Sequence, residues 1–255
     1  MKAIFSFVAL FYCLQLLGAE TSLFDSKGKA VAYIAKDRTI YLWSGKLAAY
    51  IAKDGFNIYN FEGRHKGWYK NGIIYEGNGK AIGGIKAVFD ATQVEPFKGF
   101  KEFLPFKGFK AFAPFAPNFQ KIWADGSLKS FLQIGVDEIS LFDSTGIATA
   151  YIDKDSTIYL WGGKPVAYVE DDAYNVFGFN GEHLGWFTAE MFFGRDGNVV
   201  GATKEAINNP KLEPLKGLKK LKPLKGLKRL KPLKPNFAKK WAKTPLQTVL
   251  LSGRK

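Results

Sequence analysis

Glycine occupies the sixth place of a twelve-residue frame eight times in this chain, and that recurrence restricts the fold more than any other feature. In the first half the frames are LFDSKGKAVAYI (23–34), IYLWSGKLAAYI (40–51), IYNFEGRHKGWY (58–69) and IYEGNGKAIGGI (74–85). Their glycines are Gly28, Gly45, Gly63 and Gly79, and Gly146, Gly163, Gly181 and Gly197 take the same place in the second half. Each glycine closes a two-residue pair such as Lys-Gly, Ser-Gly or Asn-Gly between β-branched and aromatic flanks. Such pairs mark tight turns that need positive φ, so each frame predicts one β-hairpin of short strands. The tenth place holds Ala32, Ala49, Gly67 and Gly83, then Ala150, Ala167, Gly185 and Gly201. A place that is always small predicts that the second strands converge near a pseudo-fourfold axis.

The halves are copies of one unit. SLFDSKGKAVAYIAKDRTIYLW from Ser22 aligns with SLFDSTGIATAYIDKDSTIYLW from Ser140 at an offset of 118 residues. The same offset carries His65 onto His183, Trp68 onto Trp186, Pro117-Asn118-Phe119 onto Pro235-Asn236-Phe237 and Trp123 onto Trp241. No gap is needed, so the chain is a tandem duplication of a folded segment and a proline-spaced tail.

The frames LFDSTGIATAYI, TIYLWGGKPVAY and VFGFNGEHLGWF, followed by DGNVVG, resemble the bacterial 4-fold β-flower family. The likeness covers about 65 residues of each copy, and the lysine- and proline-rich tails with a later Trp are also similar to family members. Copy one departs from it where Leu47-Ala48 replaces Pro165-Val166 and Lys66 replaces Leu184. The resemblance implies an all-β fold: two tandem pseudo-fourfold β-flower domains, each a shallow assembly of four short β-hairpins followed by an extended Pro/Lys-rich tail. It implies no activity. The organisation expected is a signal peptide or N-terminal anchor at 1–19, flower 1 at 20–88, a Phe/Pro/Lys tail at 89–123 and a linker at 124–137. Flower 2 follows at 138–206, a Leu/Pro/Lys tail at 207–242 and a C-terminal end at 243–255. Strands this short are half the length a membrane-spanning barrel requires, which argues against a pore.

The run from Ala3 to Ala19 follows a single Lys2 and carries no charge, the order of a secretory leader. Leu17 suits cleavage after Ala19 poorly, so a retained anchor stays open beside a cleaved signal; either predicts export to the periplasm, the cell envelope or the medium. Cys13, the sole cysteine, lies in this run, and a mature chain without it has no disulfide, thiolate metal site or thiol nucleophile.

Chemistry is sparse. The two histidines are one repeat position seen twice, each three residues before a Trp, and no local Asp or Glu cluster equips them as a base or a metal ligand. A histidine packed against its tryptophan is the better reading. The paired acids Asp25/Asp143, Asp37/Asp155 and Asp54/Asp172 sit beside turns, where aspartate caps backbone amides. No glycine-rich phosphate loop precedes a helix pattern. The expectation is a non-enzymatic protein without a cofactor or a bound metal. A basic ring of Lys29, Lys46, Arg64 and Lys80 after the turns keeps only Lys164 in copy two, so solvated turn residues explain it. Trp43, Tyr50, Trp68, Trp161, Tyr168 and Trp186 would suit sugar stacking or core packing, and domains this small favour core.

Both tails run in triplets: PFK GFK EFL PFK GFK AFA PFA from Pro96, and PLK GLK KLK PLK GLK RLK PLK from Pro214. Period three matches neither helix nor strand, but polyproline II turns once in three residues and sets like residues along one edge. The expectation is that Phe97 through Phe115, and the corresponding leucines, lie against apolar surface, leaving a cationic edge wet. The formal net charge is +14, and eleven basic residues with no acidic one fall between Pro214 and Ala242. Lys216, Lys219, Lys222, Lys225, Lys228, Arg229, Lys231 and Lys234 are therefore candidates for binding an anionic membrane or envelope polymer. A solubilising strip explains the same charges. Nucleic acid suits the charge and conflicts with export; a glycan or small molecule on the aromatic face is the alternative function. Protein partners and oligomeric state are not legible.

Overall fold

The computed structural model describes residues 20–254 except residue 173, so the leader reading at 1–19 lies outside the described residues. The first copy contains β1 (Thr21–Phe24), β2 (Ala30–Ile34), β3 (Thr39–Leu42), β4 (Leu47–Ile51), β5 (Asn57–Tyr59), β6 (His65–Lys70), β7 (Ile73–Tyr75) and β8 (Lys80–Ile85). Each strand pairs antiparallel with the next, and β1 also pairs with β8 through Leu23↔Ile85 and Phe24↔Gly84, which closes the sheet. The second copy repeats this with β10 (Ile139–Phe142), β11 (Ala148–Ile152), β12 (Thr157–Leu160) and β13 (Pro165–Val169). It continues with β14 (Asn175–Gly178), β15 (His183–Thr188), β16 (Met191–Gly194) and β17 (Asn198–Ala202), closed by Phe142↔Ala202. Two tandem eight-stranded antiparallel barrels result, and closure leaves no pair of open edges between first and last strands.

All eight sixth-place glycines lie in hairpin turns with positive φ, from 69° at Gly28 to 88° at Gly63. The turn is not the two-residue kind the Xaa-Gly pairs suggest. Lys27, Ser44, Glu62 and Asn78 are absent from the positive-φ residues, Gly28 N–H donates to the Asp25 carbonyl at 2.9 Å, and Asp25 N–H donates to the Lys29 carbonyl at 2.9 Å. A type I turn followed by a left-handed glycine bulge fits that pattern. The register shifts beside every such turn, at Leu23/Phe24, Ile40/Tyr41, Ile58/Tyr59 and Ile74/Tyr75 and at the four matching places of copy two. Bulges increase strand twist, which helps strands of three to six residues close a ring.

Alternation along the strands separates two faces. Leu23, Ile40, Ile58 and Ile74 join an aliphatic cluster, whereas Phe24, Tyr33, Tyr41, Trp43, Tyr50 and Tyr59 join an aromatic one. The aliphatic side is plugged by a helix that the sequence did not announce. After tail one, β9 (Gln120–Trp123) pairs parallel with β8, and α1 (Leu128–Gln133) then packs against β2 and β4. Ser127 caps α1 by accepting the Ser130 amide at 3.1 Å, and Leu128, Phe131 and Leu132 are fully buried. In copy two, β18 (Ala238–Trp241) pairs with β17, and α2 (Leu246–Ser252) contacts β11, β13, β15 and β17 alike.

The small tenth-place residues therefore converge as expected, but onto a helix. A Cβ on Gly83 would stand 2.6 Å from Leu128 Cδ2, and one on Gly201 would stand 2.9 Å from Leu246 Cδ2. Residues 124–137 and 243–255, read from sequence as a linker and a chain end, contribute these plugs. Both flowers and both helices form one continuous aliphatic cluster.

Candidate functional site

The tails wind past the hairpin turns in chain order, each forming a belt round its own flower. In the first belt the amides of Gln93, Glu102, Ala111 and Gln120 donate to the carbonyls of Gly28, Gly45, Gly63 and Gly79 at 2.8, 3.0, 2.7 and 2.9 Å. In the second, Lys211, Lys220, Arg229 and Ala238 donate to Gly146, Gly163, Gly181 and Gly197 at 2.8, 2.9, 2.9 and 2.9 Å. Successive donors are nine residues apart, so three triplets of belt serve each petal. Between them, Gly99, Gly108, Gly217 and Gly226 donate to the carbonyls of Trp43, Phe61, Trp161 and Phe179.

This docking assigns a job to every edge of the triplet. The first residue faces turn backbone, which is why Gly99 recurs as Gly108: a Cβ on Gly99 would lie 2.2 Å from the Ser44 carbonyl oxygen. The third residue faces the aromatic side of the flower. Lys98 Nζ lies 4.5 Å from the Tyr33 ring centroid, Lys107 Nζ 4.1 Å from that of Tyr50 and Lys225 Nζ 3.8 Å from that of Tyr168. Cations over ring faces gain on the order of 0.5–1 kcal/mol each at exposed sites. The same edge ends each belt with an aromatic: Phe119 packs 4.6 Å from Tyr75, and Phe237 stacks 4.5 Å from Phe193.

The second residue of each triplet points away, and here the structure reverses the expected polarity. Phe97, Phe100, Phe103, Phe106, Phe109, Phe112 and Phe115 are 94–103% exposed. Leu215, Leu218, Leu221, Leu224, Leu227, Leu230 and Leu233 are 85–99% exposed. The apolar edge is wet, against expectation, and the cationic edge, which stays exposed, leans its ammonium groups onto the flower. The physical reason is the flower's own surface, whose tyrosine rings and turn carboxylates complement ammonium groups.

Seven of the eight basic residues singled out in the second belt are accordingly engaged, Lys231 being the exception. Lys216 pairs with Glu138 and lies 4.7 Å from the Trp161 ring; Lys219 reaches Asp153 at 2.8 Å. Lys222 pairs with Asp155, Lys228 with Glu170, Arg229 with Glu182 at 2.5 Å and Lys234 with Asp125. Lys225 sits over Tyr168, and Lys231 borders a cavity between the two flowers. The carboxylate partners raise Lys219, Lys222 and Lys228 above the ordinary lysine range, the Asp155 hydrogen bond being the main cause for Lys222 and the Glu170 bond for Lys228.

The histidines are where the sequence put them, against their tryptophans, with ring centroids 4.8 Å apart at His65/Trp68 and 4.6 Å at His183/Trp186. Each Nε2 meets an asparagine oxygen, Asn57 at 2.9 Å and Asn175 at 3.0 Å. Burial pushes His65 down and His183 down to about 4. Trp43, Tyr50, Trp68, Tyr168 and Trp186 are buried core residues, and Asp54 and Asp172 cap the amides of Asn57 and Asn175. Among the described residues no group of three His, Cys, Asp or Glu is placed to hold a metal ion, and no helix is long and apolar enough to cross a membrane.

A duplicated closed antiparallel sheet, plugged by a helix and bound by its own tail, defines a β-flower protein whose most conspicuous external feature is the pair of apolar rows. The family model described as 4-fold beta flower protein matches residues 21–132 and again 139–250, and the chain belongs to that family. Each match takes in the belt as well as the hairpins. No curated protein and no solved structure matches the chain.

Proposed function

We propose that this protein is a non-enzymatic interaction module of the cell envelope that seats its belts on an anionic lipid surface. The observation that carries the reading is the leucine row of the second belt, seven side chains held outward by a backbone pinned every nine residues. Soluble monomers rarely expose contiguous apolar patches above a few hundred Å², and larger ones mark interaction sites. The net charge of +14 draws such a surface toward anionic lipid, while insertion of leucine and phenylalanine supplies the attachment. The leader read at residues 1–19 accords with export. Because most belt lysines already have partners, attachment depends on the apolar row more than on individual lysines.

The glycan reading has less support. It needs free aromatic faces, and Tyr33, Tyr50, Tyr151 and Tyr168 lie buried beneath the belts with lysines over their rings.

Co-sedimentation of the full chain with phosphatidylglycerol and with phosphatidylcholine vesicles tests the proposal. Leu221, Leu224, Leu227 and Leu230 are exposed, so changing all four to Ser leaves the fold intact. The parent chain should pellet with the anionic vesicles and the variant should stay in solution. Equal pelleting of the two proteins, or no preference between the lipids, contradicts it.

A further inference from the structure

Where the copies meet, a cavity of about 220 Å³ is bounded by the fourth turn of flower 1, the β13–β14 loop of flower 2 and the second belt. Its floor is buried and polar: Glu76 is 3% exposed, Tyr174 6% and Trp186 3%. Glu76 Oε1 accepts from Asn78 at 2.6 Å, but Glu76 Oε2 and the Tyr174 hydroxyl have no hydrogen-bond partner among the described residues. Buried polar groups of this kind each leave a penalty of roughly 1–3 kcal/mol unless something satisfies them. Asp172 stands beside them, its carboxylate held by Asn175 and the Tyr174 amide. The floor thus concentrates negative charge. Burial pushes Glu76 up to about 7, and Asp172 adds to the rise. The edge carries the Lys234–Asp125 ion pair and, beside it, Lys80 and Lys231, neither of which makes an ion pair among the described residues, so its unpaired charge is positive.

The combination does not belong to the duplication, although Trp186, Asp172 and Asn175 have identical counterparts in copy one. The positions matching Glu76 and Lys80 in copy two are Gly194 and Asn198, and Tyr174 and Trp186 correspond to Phe56 and Trp68 in copy one. Among the described residues the site exists once, where unlike surfaces of the two flowers face each other.

We propose that this cavity binds a small zwitterion, an ammonium group and a carboxylate a few bonds apart. The ammonium would be drawn by charge to the Glu76 and Asp172 carboxylates beside the Trp186 ring, and the carboxylate would meet Lys80 and Lys231. The cavity's volume of about 220 Å³ is many times what one water needs and leaves room for a molecule the size of a short amino acid.

Isothermal titration of the full chain at pH 8, where Glu76 is ionised, tests this with three probes: 4-aminobutyrate, butylammonium and butyrate. The prediction is that 4-aminobutyrate binds at least about tenfold more tightly than either single-charge probe. Glu76→Gln, near in shape, should weaken 4-aminobutyrate about tenfold while the protein stays folded, with a melting temperature at pH 8 no lower than the parent's because the variant no longer buries an ionised carboxylate. Lys231→Gln, at an exposed position, should weaken 4-aminobutyrate and leave butylammonium unaffected. No heat with 4-aminobutyrate up to about 10 mM, equal affinity for 4-aminobutyrate and butylammonium, or unchanged binding by the Glu76→Gln protein would overturn the proposal and leave the cavity to solvent.

Discussion

The carbonyl oxygen of Phe100 lies where Gly45 would have to carry a side chain, 1.9 Å from the position of a Cβ on that glycine. The same relation recurs between Phe109 and Gly63 at 2.0 Å, Leu218 and Gly163 at 2.0 Å, and Leu227 and Gly181 at 1.9 Å. The turn glycines are therefore required twice, once for positive φ and once so that the belt can lie on the turn. Folding of the hairpins and seating of the belt depend on the same eight residues.

Gly45→Ala separates these two requirements when set beside Gly55→Ala. Gly55 also has positive φ, at 72°, but a Cβ there meets nothing within 4 Å. Gly55→Ala should cost only the backbone term, about 1–2 kcal/mol. Gly45→Ala should cost more and also loosen the belt, seen as faster proteolysis between residues 93 and 116 in the otherwise folded protein. Equal losses in the two variants would deny the contact.

Ala49 and Ala167 are fully buried on β4 and β13, strands that face the plug helices. Leucine at either place forces the helix outward, and overpacking of this kind costs about 1–3 kcal/mol. Thermal unfolding should shift down by several degrees for each substitution. An unchanged transition would mean that the axis has room to spare.

The pH dependence of stability should contain two opposed slopes. His183 folds as the neutral ring with its pKa down at about 4 from 6.5, so its contribution is complete above 6.5 and is lost as pH falls toward 4. Glu76 folds with its pKa up at about 7 from 4.5, so its contribution is complete below 4.5 and is lost as pH rises through 7. Each is worth on the order of 3 kcal/mol at most, and between pH 4.5 and 6.5 they offset one another. His65, also held down by burial, adds to the rising slope, so urea midpoints of the parent should change less across that window than those of Glu76→Gln. Those of Glu76→Gln should rise with pH, and those of His183→Gln should fall. Parallel profiles for all three proteins would count against both assignments.

How much of this was written in the sequence follows from which contacts are local. The turns were legible because Gly28 and its seven equivalents sit in hairpins whose partners are a few residues away. The turn type was missed because an Xaa-Gly pair is common to both kinds of turn, and only the φ of Lys27 or Ser44 distinguishes them. The plugs LKSFLQ and LQTVLLS are too short to show a helical period, although the small residues at Gly83 and Gly201 were a trace of them. The inverted belt was the larger error. Seven phenylalanines on one edge suggest burial, whereas the glycines Gly99 and Gly108, nine residues apart, mark the edge that lies against turn backbone. With that edge fixed, the tyrosine face and its acids decided which neighbour turned inward, and they favoured lysine. The cavity at Glu76 had no sequence signal, since it joins residues from 76, 174 and 231.

Amide hydrogen exchange along the first belt, read residue by residue by NMR, tests the nine-residue docking most directly. The account predicts slow exchange at Gly99, Glu102, Gly108 and Ala111, which donate to Trp43, Gly45, Phe61 and Gly63. Phe103, Phe106 and Phe112, whose amides make no such bond, should exchange quickly. Uniformly fast exchange from 97 to 116, or protection centred on the phenylalanines, would contradict it.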